Sequence, residues 1–295
     1  MLSKLNQKIS YFIMCIAVAF FSLICILPFW LVVIGSMTSE AEIINEGYKL
    51  IPKLFDFVAY KVLFIESSIL INGYKISIIV TVAGTVFSVI IVTMMAYSIS
   101  RKSLKYRNMI SIYAMITLLF NGGVVPWFIL CRNYLHLRDS YAALIVPYLV
   151  NAWNVFLTRN YFLSIPDEMY ESAKIDGASE LTIFARIILP LSKPIIATIA
   201  LFISLGYWND WWLGIMLIDK SNMQPLQLLL RTIVSNIQFL QTDPNAGKVS
   251  DLIKYLPTEG LKMATCVVTV GPIIIVYPFV QKYFVKGIML GAIKS

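Results

Sequence analysis

Six stretches of this chain run without a single Asp, Glu, Lys or Arg over lengths close to a bilayer crossing: residues 11–39, 76–99, 108–131, 140–158, 194–209 and 263–281. A spanning α-helix needs roughly 20 predominantly apolar residues. At 295 residues the length alone fits one or two soluble domains, but 59% hydrophobic residues put the chain among membrane proteins. The expected fold is all-α and polytopic, a single transmembrane domain with helices over about 11–35, 76–99, 108–131, 140–158, 194–218 and 263–281. The fifth of these takes in Asp210 and continues through Trp211 and Trp212. A cleavable signal peptide is the competing account of the first run, but the run is too long for one and no Ala-x-Ala site closes it.

Orientation follows from where basic residues fall, because short loops rich in Lys and Arg stay on the cytoplasmic side. The loop holding Arg101, Lys102, Lys105 and Arg107 contains no acid and belongs inside. By alternation the amino terminus, the stretch from Arg159 to Lys193 and the carboxyl tail lie inside with it, so the expected location is the cell membrane with both ends cytoplasmic. The formal net charge of +8 is thereby accounted for by topology, without nucleic acid, for which the chain lacks an aromatic-interleaved basic patch. Among the outer loops, residues 40–75 are expected to carry short helical pieces and residues 219–262 one amphipathic piece near 225–237. Cys15, Cys25, Cys131 and Cys266 show no CxxC spacing and mostly sit in apolar runs, so neither a disulfide framework nor a metal site is implied. His136 has no Cys or second His nearby and receives no chemistry.

The longest charge-dense interval between two apolar segments is Ile165 to Pro194, with a loop proper of 165–193. Pro166 suits a helix's first turn, and Asp167, Glu168 and Glu171 follow at the positive end of the helix dipole. Met169, Tyr170 and Ala173 make a small apolar face, and Gly177 is placed to end the helix in a left-handed cap. Ser179 then caps a second helix whose expected apolar stripe is Leu181, Phe184, Ala185 and Ile188, and Pro190 and Pro194 punctuate the return to the apolar phase. The pattern reads helix, glycine turn, helix.

The run Glu171-Ser172-Ala173, then Asp176-Gly177-Ala178, then Leu189-Pro190 and Pro194, resembles the coupling loop of binding-protein-dependent ABC importer permeases of the carbohydrate-uptake, maltose-permease-like branch. That family usually has Glu-Ala-Ala where this chain has Glu171-Ser172-Ala173. The tail Gln281-Lys-Tyr-Phe-Val-Lys-Gly287 with Gly291-Ala-Ile-Lys294 is similar to the family's carboxyl-terminal signature, closing in Ser295 where glycine is common. Phe120-Asn-Gly-Gly-Val-Val-Pro126 and the Trp-Asn-Asp-Trp-Trp stretch look most like the branch handling oligosaccharides or polysaccharide fragments. The resemblance implies a non-catalytic pore subunit paired with a second permease, two cytoplasmic ATPase subunits carrying ATP and Mg, an extracytoplasmic solute-binding protein, and no cofactor on this chain. It also implies that Glu171, Ala173, Asp176, Gly177 and Ala178 are the ATPase-coupling residues.

Physical readings of the same residues stand beside the resemblance. No G-x-x-x-x-G-K-[ST] run occurs, and Ala246-Gly247-Lys248-Val249 lacks both the hydroxyl residue and the first glycine, so the energy for uphill transport comes from a partner or an ion gradient. Ion-coupled carriers place acids or histidines inside spans, and here only Asp210 qualifies. A membrane-embedded enzyme would need a paired acid, or a nucleophile with its base, and none is apparent. On a cytoplasmic helix the Glu171 carboxylate can pair with an arginine of a positive groove, or simply favour the helix dipole. Trp208, Asn209, Asp210 and Trp211, with Asn121, form the candidate substrate path, since amides and acids bind sugar hydroxyls and aromatic rings their C–H faces. An aromatic belt is the competing account, Asp210 lying about 24 Å along a helix begun at Pro194. Asn151 and Asn154 read as interhelical hydrogen bonders. A non-sugar solute remains the alternative within the class.

Overall fold

The computed structural model describes residues 2–65, 67–242 and 257–292. Pro244 and Gly247 of the second outer loop, and Lys294 and Ser295 of the tail, lie outside the described residues. Helices account for the described architecture, with one isolated antiparallel bridge between Thr38 and Phe55. In order they are α1 Leu2–Gly35, α2 Glu40–Glu46, α3 Val58–Leu63, α4 Ser67–Ser100, α5 Arg107–Leu119, α6 Val124–Ile129, α7 Tyr141–Ile145 and α8 Ala152–Phe162. There follow α9 Asp167–Ile175, α10 Glu180–Ile183, α11 Leu189–Leu191, α12 Lys193–Trp208, α13 Trp212–Leu217, α14 Leu226–Thr242 and α15 Thr258–Ala292.

Among the described residues three helices are long and apolar enough to cross a membrane: Gln7–Gly35, Ser68–Ser100 and Thr258–Ile275. Of the other three charge-free runs, two are divided and the third, 194–209, begins just after a sharp bend. Residues 107–134 bend by 117° between α5 and the segment Val124–Tyr134, residues 141–162 by 52°, and residues 180–208 by 82°. Each break has a local cause. At the first, Gly123 adopts φ 88° and donates its N–H to Asn121 Oδ1 at 2.9 Å, and Pro126 follows. At the second, Pro147 lies in a 3₁₀ turn and Asn151 caps α8 by accepting from Asn154 N–H at 3.3 Å. At the third, Pro194 has no N–H to give to a preceding turn, so α12 begins anew at Lys193. The run 194–218 also stops short of a single helix: α12 ends at Trp208, and Asn209 to Trp211 separate it from α13.

The chain divides into two compact units, Met1–Ser67 with Thr232–Ile273, and Ser68–Arg231 with Ile274–Ser295. In the first, the Glu40 carboxylate accepts from the Thr258 hydroxyl at 2.9 Å and from the N–H groups of Glu259 and Gly260 at 3.0 and 3.1 Å, capping α15 from a distant part of the chain. The Trp30 indole N–H donates to the Leu50 carbonyl at 2.8 Å, folding the loop after α2 back along α1. The second unit has its core in Val92, Ala96 and Ile99 of α4, Val155 and Phe162 of α8, Ile183 and Ile188 of the 180–191 segment, and Ile199 of α12. Hydroxyls buried there bond back along their own helices, Thr158 to the Asn154 carbonyl at 2.7 Å and Thr198 to that of Pro194 at 2.9 Å. Gly84 of α4 lets the Tyr207 ring of α12 approach so closely that an added Cβ would lie 2.6 Å from it. The Tyr207 hydroxyl donates to the Ile145 carbonyl at 2.9 Å and lies 3.2 Å from Ser88 Oγ, tying α4, α7 and α12 at one point. Small residues at close helix contacts and hydroxyls across them are how helices associate where burial from water offers no drive.

Candidate functional site

The 165–193 loop folds as its local chemistry requires. Pro166 occupies the N-cap position of α9 with ψ 136°, one place before the helix, where its extended backbone makes the turn into the helix and the N–H it lacks is not needed. Asp167 and Glu168 fill the first turn. At the other end Gly177 has φ 78°, its N–H bonds to the Lys174 carbonyl at 3.0 Å and the Ala178 N–H to the Ala173 carbonyl at 2.9 Å. That pair of bonds is a complete Schellman motif, with Asp176 as the capping residue and glycine at the left-handed position. Ser179 then accepts from Thr182 N–H at 3.3 Å and starts α10.

The residues expected to couple therefore divide by position. Tyr170 and Ala173 are buried, and Ala178 is half-buried beneath the turn. Glu171, Asp176 and Gly177 face outward, and the Glu171 carboxylate has no ion pair or hydrogen bond among the described residues. The stripe expected for the second helix is corrected: Ile183, Phe184 and Ile188 are buried, while Leu181 and Ala185 are exposed. The cause is a π-helical turn over Phe184–Ile188, whose wider winding brings residues five apart onto one face. Met169, expected on the α9 face, is also exposed.

What holds the loop is a set of side chains that the sequence reading left out of the site. The Arg101 guanidinium lies 3.4 Å from the Tyr170 ring centroid and 5.9 Å from that of Tyr97. The Tyr97 hydroxyl donates to Glu180 Oε2 at 2.5 Å, Lys174 pairs with the other Glu180 oxygen at 2.9 Å, and the Tyr97 and Phe184 rings are 5.1 Å apart. Lys102 reaches Asp167 at 3.0 Å. Both helices of the loop are thus clasped to the end of α4. Lys174, and after it the Tyr97 hydroxyl, hold the Glu180 carboxyl below its usual range. Between residues 100–103 and α9 lies an open cleft of about 620 Å³, lined by Arg101, Lys102, Asp167, Glu168, Glu171 and Lys174 among others. Arg101 and Lys102 were legible in the sequence only as topology markers; nothing there signalled the tyrosines they would meet.

The 207–212 segment is built differently. Trp208 is buried with its ring 6.4 Å from Tyr74, and Asn209 is exposed and donates to the Leu205 carbonyl at 2.9 Å. Asp210 accepts from Leu213 N–H at 3.1 Å and also from Trp212 N–H and the Tyr148 hydroxyl, so its carboxylate caps α13 and ties it to residue 148. Trp211 lies under the Arg231 guanidinium at 3.5 Å and edge-on to Trp212 at 5.9 Å. Asn121 does not join this group: its hydrogen bond is the local one to Gly123. Nearby in sequence, Asp219 receives Arg132 and Arg138, each at 2.6 Å, and Asp139 Oδ1 accepts the N–H groups of Asp219 and Lys220 at 2.7 and 2.9 Å. His136 and Asp139 take the left-handed conformation in that turn, with φ 51° and 46°. No cluster of His, Cys, Asp and Glu suited to a metal is found among the described residues.

A family model for binding-protein-dependent transport system inner membrane components matches residues 94–290, which include both the loop and the 207–212 segment. The chain belongs to this family. The permease is 40% identical over 278 residues to the polygalacturonan/rhamnogalacturonan transport system permease protein YtcP of Bacillus subtilis, covering 93% of this chain and 94% of that one. It is 29% identical over 278 residues to the arabinooligosaccharides transport system permease protein AraQ of the same organism, covering 93% and 92%. Among solved structures it resembles a chain of a bacterial ABC transporter involved in the import of the acidic polysaccharide alginate, with 30% identity, a TM-score of 0.80, and coverage of 95% of this chain and 98% of that one. It is accordingly an ABC importer permease, a transport component of the inner membrane.

Proposed function

We propose that this permease is one of two pore subunits of an ATP-driven importer for oligosaccharides or polysaccharide fragments, crossing the membrane six times with both ends cytoplasmic. The six charge-free runs, three on long helices, two on bent pairs and one on α12, support that plan, and the transport substrates in the relatives' names support the solute class. In this reading α9 is the coupling helix, docking on a cytoplasmic ATPase subunit that carries the ATP and Mg, while a solute-binding protein delivers substrate on the other side. The observation that carries the reading is a short helix with its acids outward and its inner face locked to α4: Glu171 is exposed beside Tyr170, and Tyr170 is under Arg101. An exposed carboxylate meeting an ATPase arginine in a partly desolvated groove gains more than a surface pair.

Movement imposed on α9 would then pass through Arg101 and Tyr97 into α4, and from α4 at Gly84 and Ser88 to Tyr207. Opening of the pore follows from a rigid shift of packed helices, with no covalent step in this chain. Asp210, the acid an ion-coupled mechanism would use, is occupied in capping α13, which favours the external ATPase as energy source.

The test is affinity purification in mild detergent of the wild type, Glu171→Ala and Gly177→Asp. A second permease and an ATPase should accompany the wild type, and the ATPase alone should be lost from both variants. A wild type that purifies alone and still drives uptake in membranes without an ATPase would end this reading.

A further inference from the structure

Most basic side chains of the second unit with described ion pairs or stacking have an evident task. Arg132 and Arg138 are neutralised on Asp219, Lys174 on Glu180 and Lys102 on Asp167. Arg101 is the keystone of the α4 clasp. Arg231 differs: it is exposed on α14, lies over the Trp211 ring at 3.5 Å, and has no carboxylate within ion-pair distance among the described residues. Stacking uses the face of the guanidinium and leaves its in-plane fork of N–H donors free. One turn earlier on the same helix face, Gln227 Nε2 lies 3.4 Å from Asn209 Oδ1. The result is an exposed group with one fixed cation, two primary amides and an indole, contributed by α14 and by residues 209–211.

Each part has a natural counterpart in one kind of ligand. A guanidinium fork held rigid by an aromatic ring matches the two oxygens of a carboxylate, and such bidentate pairs are stronger and more directional than neutral hydrogen bonds. Asn and Gln amides offer both donor and acceptor to adjacent ring hydroxyls. A sugar acid carries both features on one ring, a carboxylate at one edge and hydroxyls beside it. We infer that Arg231, with Asn209 and Gln227, forms a subsite for the carboxylate of a uronic-acid residue in the transported oligosaccharide, Trp211 serving to orient the guanidinium. The inference rests on the importer reading above and narrows its solute from sugars in general to acidic ones. It also recasts the outer segment: Asp210 belongs to the scaffold, and the specificity-determining cation comes from α14.

The test uses the assembled transporter with its partner permease, ATPase and binding protein in proteoliposomes, with trigalacturonate and its methyl ester as probes. Esterification keeps the ring and hydroxyls and removes the charge. For Arg231→Gln the half-saturation concentration for the free acid should rise about tenfold, the factor for losing one charge-assisted hydrogen bond. That for the ester should stay at the wild-type value, and Arg231→Lys should fall between for the acid. Half-saturation does not depend on how much protein folds, so reduced expression leaves the comparison intact. Equal weakening of both probes would overturn the inference and identify Arg231 as a contact to the binding protein; unchanged values for both would overturn it too. Wild type that accumulates neither probe, yet purifies with its ATPase, would remove the acidic-sugar subsite and leave the importer reading standing.

Discussion

The 165–193 loop and the 207–212 segment are both polar interruptions between apolar helices, and both mix local with distant contacts, but in different parts. In the loop, the cap of α9, the glycine turn and the start of α10 are closed by hydrogen bonds three to five residues apart, as in Gly177 to Lys174 and Ala178 to Ala173. In the segment, Tyr207 is held by Ser88 and Ile145, 119 and 62 residues away, and Trp211 by Arg231. A locally closed unit keeps its shape while it is moved. A segment held by distant helices changes its surroundings whenever those helices move.

The largest expected effect tests the distant half of this contrast. Gly84→Ala puts a Cβ against the doubly hydrogen-bonded Tyr207 ring and should cost about 1–3 kcal/mol, read as a lowered thermal midpoint in detergent. Combining it with Tyr207→Leu should recover part of that loss; strictly additive effects would show that the ring is not what Gly84 accommodates. Next, Asp210→Ala removes the α13 cap and should lower stability by about 0.5–2 kcal/mol, whereas Asp210→Asn retains an acceptor and should preserve uptake. An Asn variant that loses uptake while remaining folded would reopen the ion-coupled mechanism. On the local side, Gly177→Ala meets no atom within 4 Å and pays only for its positive φ, about 1 kcal/mol, measurable by thermal unfolding with ATPase association kept. The smallest effect is in the clasp. Glu180 has its carboxyl depressed below 4.5, so its contribution is present above that pH and lost as pH falls through the lowered value. The difference in thermal midpoint between wild type and Glu180→Gln should therefore shrink on acidification below about pH 4.5 and be constant at neutral pH.

The same contrast explains what could be read before the structure. Pro166, Gly177 and Ser179 act within a few residues of themselves, so their placement at helix ends was legible, with Pro166 off by one position. The π-helical turn at Phe184–Ile188 was not, because it changes the winding without any residue type that demands it, and the buried stripe moved with it. Arg101 meeting Tyr170, Gly84 meeting Tyr207 and Arg231 meeting Trp211 are pairings between helices, and one sequence carries no record of them. The charge-free runs carried no sign of the bends, which depend on Gly123, Pro147 and Pro194 and on what those helices pack against.

The bond from Glu40 to the start of α15 also sets a schedule for biogenesis. Its donors lie 218 to 220 residues further along the chain. At about 5–20 residues per second, α1 and the loop after it wait roughly 10–45 seconds in the membrane before the helix that completes their unit has been made. During that interval the Glu40 carboxylate is a free charge beside an emerging span, held in water by its own solvation. The first unit is therefore begun first but completed only after residues 68–231 of the second have been made, and any ribosome stall in between leaves the Glu40 acid waiting for its partners at the start of α15.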